Sequence, residues 1–209
     1  MTLRTLIGAL TCTVLCACSP SSATSPSTDA AQQAPSPGLI ENPQFTSREN
    51  GSIAPPWSDF QHAGVHSYTY TSTDGVLTIT RIDEQVWGHL SQRIRGATLQ
   101  GKTVEFSADL AGTLDSQYGE PMGPTGLMVT VHGKRADQPR SMLGLGILST
   151  HASEPGMAVG ENDWRRYSVR FKVPPVEEAN SIELEVALAL TLGGALKVRN
   201  PSLQVVSSD

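Results

Sequence analysis

The stretch Ile182-Glu183-Leu184-Glu185-Val186-Ala187-Leu188-Ala189-Leu190-Thr191-Leu192 decides the fold. Its Glu, Leu and Ala content favours a helix on intrinsic propensity. Its spacing does not, because Ile182, Leu184, Val186, Leu188, Leu190 and Leu192 fall on every second position. A helix would spread these side chains around its circumference and leave some in water, whereas a strand puts all of them on one face. Burying each is worth about 1.5–3 kcal/mol, against propensity differences of a few tenths per residue. The segment therefore reads as a long strand.

The same period recurs on the N-terminal side of this strand. Val104, Phe106, Ala108 and Leu110 alternate with Thr103, Glu105, Ser107 and Asp109. Leu127, Val129 and Val131 alternate with Met128, Thr130 and His132, and Tyr167, Val169, Phe171 and Val173 with Arg166, Ser168, Arg170 and Lys172. Further strands are expected near 76–82, 87–95, 142–148 and 195–206, punctuated by Gly75, Gly96, Gly101, Gly112, Gly133 and Gly193-Gly194. No amphipathic helix of useful length interrupts them. Many short strands with turns between them predict an all-β fold, a β-sandwich over residues 39–209.

What precedes that region has a different composition. Met1-Thr2-Leu3-Arg4 carries one positive charge, and Thr5 to Ala17 is an uncharged stretch too short to cross a bilayer as a helix. It ends in Leu15-Cys16-Ala17-Cys18, which resembles the lipobox of bacterial lipoprotein precursors. The resemblance implies a signal peptide over 1–17 and lipid on the thiol of Cys18, with a second acylation on its freed amine. Several chains are needed for stable anchoring, because one acyl chain holds a membrane only marginally. Cys16 departs from the usual Ala, Ser or Thr. Ser19, rather than Asp, after the cysteine goes with sorting to the outer membrane, on its periplasmic side, in a Gram-negative cell. Residues 18–38 are rich in Ser, Pro, Ala, Thr and Gln and read as a flexible tether.

All 3 cysteines lie within the first 18 residues, so the sandwich has none for a disulfide, a thiol nucleophile or a cysteine metal site. The formal charge is −5, with no basic run longer than Arg165-Arg166. A nucleic-acid partner is excluded, since phosphate contacts need clustered Lys and Arg. The expected membrane contact is the lipid on Cys18.

The order of short motifs along the sandwich is similar to another family. Asn42-Pro43-Gln44-Phe45, Pro56-Trp57, Trp87-Gly88-His89-Leu90-Ser91-Gln92-Arg93-Ile94, Gly101 to Ala108, Asp163-Trp164-Arg165-Arg166-Tyr167 and Gly194 to Leu203 follow one another over residues 39–206. This order resembles galactose-binding-like jelly rolls of the carbohydrate-binding-module type. The resemblance implies a jelly roll opened by an N-terminal strand at 42–45, with ligands on a concave sheet face or in edge loops. It makes Trp57 and Trp164 structural, and often brings a structural calcium. The matching acidic positions are Thr46 and Asn200 here. Without those two carboxylates the hard oxygens Ca²⁺ prefers are missing, and no cofactor is expected.

Sugar recognition uses flat aromatic rings flanked by hydrogen-bonding side chains. Trp87, His89, Ser91 and Arg93 share one strand face opposite Leu90 and Ile94, a ring, an imidazole and a guanidinium in a row. This is a ligand platform, or else Trp87 caps the core and the others lie in solvent. The loop 113–125, with Asp115, Gln117, Tyr118 and Glu120, is either a second contributor or an ordinary surface loop, as is 151–163 with Glu154, Glu161 and Asp163. His62 and His66 flank Gly64 and are poorly placed to share one zinc. Catalytic motifs such as Gly-x-Ser-x-Gly or His-Glu-x-x-His do not occur, and the adjacent pairs Asp83-Glu84 and Glu177-Glu178 point to opposite strand faces. The expectation is a non-catalytic, lipid-anchored envelope domain that binds a glycan or another envelope component. The alternative is a protein-interaction module, an assembly accessory or an inhibitor or immunity protein; a hydrolase, which would need two carboxylates converging in one cleft, stands third.

Overall fold

The computed structural model describes residues 38–62, 65–86, 88–137 and 144–206. The leader, Cys18, the tether to residue 37 and Trp87 lie outside these residues. Among the described residues, ten strands form two five-stranded antiparallel sheets. One sheet runs β1 (Ser58–Phe60), β4 (His89–Arg95), β9 (Ala179–Ala189), β6 (Gly126–Arg135), β7 (Gly146–Ala152). The other runs β2 (Tyr68–Thr73), β3 (Val76–Arg81), β10 (Gly193–Val206), β5 (Thr103–Asp115), β8 (Gly160–Lys172). The predicted all-β sandwich is what the chain forms.

The core is built by the alternation read from the sequence. Val104, Phe106, Ala108 and Leu110 are 0% exposed, as are Leu184, Val186 and Leu188. The decisive strand ends at Ala189, three residues before the alternation does, and Leu190 and Leu192 stay buried in the turn into β10. The 3₁₀ turn Ala97–Leu99 tucks Leu99 against the core.

Two edge strands escaped the pattern. β2 (YTYTST) has Thr at its outward positions and joins β3 through Asp74-Gly75, both with positive φ, the primed turn that a two-residue hairpin requires. β1 is three residues long, too short to show a period. The expected N-terminal strand at 42–45 is instead a turn. Asn42 and Phe45 take φ of 48° and 50°, and the Asn42 side chain bonds both the backbone N–H and the hydroxyl of Thr46. The turn drives Phe45 onto buried Trp57, ring centroids 5.3 Å apart. The strand expected at 142–148 starts at Gly146 and runs to Ala152, following its pairing with β6.

Candidate functional site

Three neighbouring strands supply one polar cluster. With Leu90 inward on β4, the residues His89, Ser91 and Arg93 face outward. Burial of Ile182, Leu184, Val186 and Leu188 turns Glu183, Glu185 and Ala187 outward on β9. Burial of Leu127, Val129 and Val131 does the same for Met128, Thr130 and His132 on β6. Register sets Arg93 opposite Glu185, Ser91 opposite Ala187, and His132 opposite Glu183. His89 and Glu185 thus stand two pairs apart along the strands, with Ser91 and Ala187 between them. Both are small, so the longer side chains lie across them, and Ala187 is left 1% exposed.

Glu185 is the centre. Nε2 of His132 lies 2.9 Å from Oε2 and Nε2 of His89 lies 3.5 Å from Oε1. Arg93 spans both acids, 3.2 Å to Glu183 and 3.4 Å to Glu185. The hydrogen bond from His89 outweighs the cost of burial and, with His132, Arg93 and Ser91, pulls the Glu185 carboxyl down to about 2. An ionised carboxylate only accepts, so each Nε2 facing it carries a proton, and in the neutral ring Nδ1 is left as an acceptor.

An open cleft of about 620 Å³ adjoins this cluster. Ser58, Asp59 and Phe60 of β1 line one part of it and Ser91, Arg93 and Glu185 another. Phe60 is 51% exposed, and its ring stacks on His89 at 5.1 Å, inclined by 23°. The cleft therefore offers a half-exposed ring, serine hydroxyls, imidazole and guanidinium groups, and an ionised acid. That set suits a polyhydroxylated ligand, with C–H groups against the ring and hydroxyls paired to the polar groups. Two carboxylates do converge, but on Arg93. Glu185 is ionised throughout the ordinary pH range and has no proton to give as a general acid.

Of the residues singled out in the sequence, His89 and Arg93 meet here, while Trp87 lies outside the described residues. Asp115, Tyr118 and Glu120 have other surroundings. Asp115 accepts from the backbone of Gln117 and shapes the start of its loop. Tyr118 lies over Arg81, whose guanidinium carbon is 4.4 Å from the ring centroid. Arg81 is only 5% exposed and donates to the carbonyls of Asp83, Thr191 and Glu84. Glu120 is exposed. Asn200, at the expected calcium position, donates to Asp109. Among the described residues no group of three or more His, Cys, Asp or Glu is arranged to hold a metal ion. Trp57 is buried as expected, but Trp164 is 38% exposed.

Phe60, His132 and Glu185 were missed. The last two carried a signal, since both occupy outward positions of strands that the alternation had already oriented. What was lacking was the order of strands that makes them neighbours.

No family model matches the chain, and no curated protein matches it. Solved structures align with it at low identity. A putative sugar binding protein from Bacteroides thetaiotaomicron aligns at 13% identity over 81% of this chain and 100% of its own, with a TM-score of 0.49. The CBM22-1 xylan-binding domain of Xyn10C from Paenibacillus barcinonensis aligns at 12% identity over 83% and 97%, with a TM-score of 0.48. The enzymatically active domain of tailspike protein 4 from bacteriophage CBA120 aligns at 13% identity over 81% of this chain, with a TM-score of 0.47. This chain spans 21% of that tailspike domain. Alignments at this level assign no site or activity to the chain.

Proposed function

We propose that this protein is a lipid-anchored envelope component whose sandwich binds a glycan, without catalysis, in the cleft between β1 and the Glu185 cluster. The observation that carries the reading is the exposed Phe60 ring stacked on His89 beside Arg93 and Glu185. An aromatic that faces solvent, set next to hydrogen-bonding groups already fixed by one another, is preorganised for a sugar ring. The anchor rests on Leu15-Cys16-Ala17-Cys18 and on the leader before it. The residue after the cysteine, Ser19, supports the periplasmic side of an outer membrane as the location.

The test has two arms. The full-length protein is screened against plant and bacterial glycans and peptidoglycan fragments, and the hits are repeated with a Phe60→Ala, Glu185→Gln double variant. Binding that the double variant loses supports the cleft; absence of any glycan signal ends the reading. In cell fractionation, Cys18→Ser is expected to move the protein from the membrane to the soluble fraction, and a variant that still sediments with membranes rejects the lipid anchor.

One observation favours a protein partner instead. The edge strand β7 exposes Ile147 at 66%, and Leu145 just before it is 40% exposed. An unpaired strand edge with exposed apolar side chains is a pairing site for another chain. A stoichiometric protein partner from envelope extract, lost on Ile147→Lys, together with a silent glycan screen, would select that reading.

A further inference from the structure

We propose that Trp164 is the platform of a second saccharide site, on the outer face of the sheet β2-β3-β10-β5-β8, away from the Glu185 cleft. Trp164 sits in a β-bulge. Between the pairs Leu110–Arg165 and Gly112–Asn162, β8 contributes Asp163 and Trp164 where β5 contributes only Ala111. A second bulge lies two strands across. Between Arg199–Asp109 and Ser202–Ser107, β10 contributes Asn200 and Pro201 against Ala108, with Asn200 at φ 53°. Bulges re-aim side chains and gather at functional edges, and a non-glycine residue at positive φ is strain that the surroundings must hold in place.

The two bulges lock one ring. The guanidinium of Arg199 lies 4.2 Å from the Trp164 centroid, and its Nε is 3.6 Å from Asp109. Asp109 is itself fixed by Arg166 at 3.2 Å and by the side chain of Asn200 at 2.9 Å. The indole is therefore stacked on one side by a cation that lies beside one carboxylate, Asp109, itself fixed by Arg166 and Asn200, while Trp164 remains 38% exposed. Against it lies a shallow cleft of about 250 Å³ lined by Ala111, Gly112, Ala195, Glu161, Asp163 and Lys197. Small residues let a ligand approach the backbone, and the two carboxylates and the ammonium that line the same cleft can pair with hydroxyls. Asn162 is spent on its own turn, donating to the carbonyls of Ala158 and Gly160. A preset indole, acceptors on one flank, a donor on another and a narrow cleft fit one sugar residue at a time. The two saccharide sites would then lie on outer faces of different sheets, so one chain could bridge two glycan strands.

The test follows the Trp164 indole N–H resonance of the full-length protein by NMR, assigned with Trp164→Phe, in the Phe60→Ala, Glu185→Gln background that removes the first site. The probes are hexamers of xylose, of β-1,4-glucose and of N-acetylglucosamine. The resonance is expected to shift saturably at millimolar concentration with at least one probe, and Asp163→Asn is expected to weaken that binding several-fold. No shift with any of them, or a shift shared equally by the other two tryptophans, overturns the proposal. If the wild type binds a glycan and the cleft variant binds none, the first site stands and this second one falls.

Discussion

His132 on β6 donates from Nε2 to Oε2 of Glu185 on β9 at 2.9 Å, one of two imidazoles that share this carboxylate. Between them they keep the acid ionised, with the carboxyl drawn from 4.5 to about 2. A group depressed in the folded state adds stability above its unfolded value and loses it as pH falls towards the folded one. Unfolding free energy of the wild type is therefore expected to drop between roughly pH 4.5 and 2 through this residue, by about 1–2 kcal/mol after allowance for solvent screening. Urea titrations across that range should show a shallower fall in Glu185→Gln. Equal slopes in the two proteins would remove Glu185 from the account.

Arg81 gives a second expectation. Its guanidinium donates to three backbone carbonyls in a buried setting and is flanked by the rings of Tyr68 and Tyr118. Arg81→Met leaves those carbonyls without their donor and should cost about 2–4 kcal/mol in chemical denaturation. Tyr118→Ala removes only the ring and should cost about 1 kcal/mol while leaving glycan affinity unchanged. If Tyr118→Ala abolishes binding and spares stability, the loop contributes to the ligand site after all.

How far the sequence could be read depended on the range of each signal. Alternation is local, and the strand at Ile182 to Ala189 with its burial could be recognised from residue spacing alone. A three-residue strand such as Ser58–Phe60 has no period to detect, and so Phe60 was invisible as a site residue. Asp115 and Tyr118 looked like ligand residues because loop polarity does not distinguish a group facing solvent from one committed to Gln117 or Arg81. The Glu185 cluster depends on β9 lying between β4 and β6, a pairing between segments far apart in sequence. His89 and Arg93 could be named from β4 alone, but their common partner could not.

Gly88 tests the packing just before β4. A methyl group there would overlap the ring of Tyr68, which is 2% exposed and cannot swing into solvent. Gly88→Ala should cost about 1–3 kcal/mol by overpacking. Gly146 offers the contrast, since its nearest neighbour to an added Cβ is the Gly133 carbonyl at 3.8 Å. Gly146→Ala should stay within about 0.5 kcal/mol of wild type. Paired thermal melts check both, and equal shifts in the two variants would contradict the packing described.

Phe60 separates a binding role from a structural one. The residue is half exposed on a short edge strand, and its ring contact is with His89 on the outer face rather than with the core. Truncating it removes little buried apolar area, so Phe60→Ala should unfold within about 0.5 kcal/mol of the wild type. A ligand ring seated against it would lose a central contact, and truncation of such an anchor commonly costs about 2 kcal/mol or more, a loss of affinity above tenfold. Calorimetric titration with the tightest glycan from the screen, beside urea denaturation of the same samples, reads both quantities. A destabilised protein with unchanged affinity would make Phe60 a packing residue and move the ligand away from β1. His89→Ala should weaken binding too, because the ring then loses the imidazole that holds it and the cleft loses a hydrogen-bonding group together.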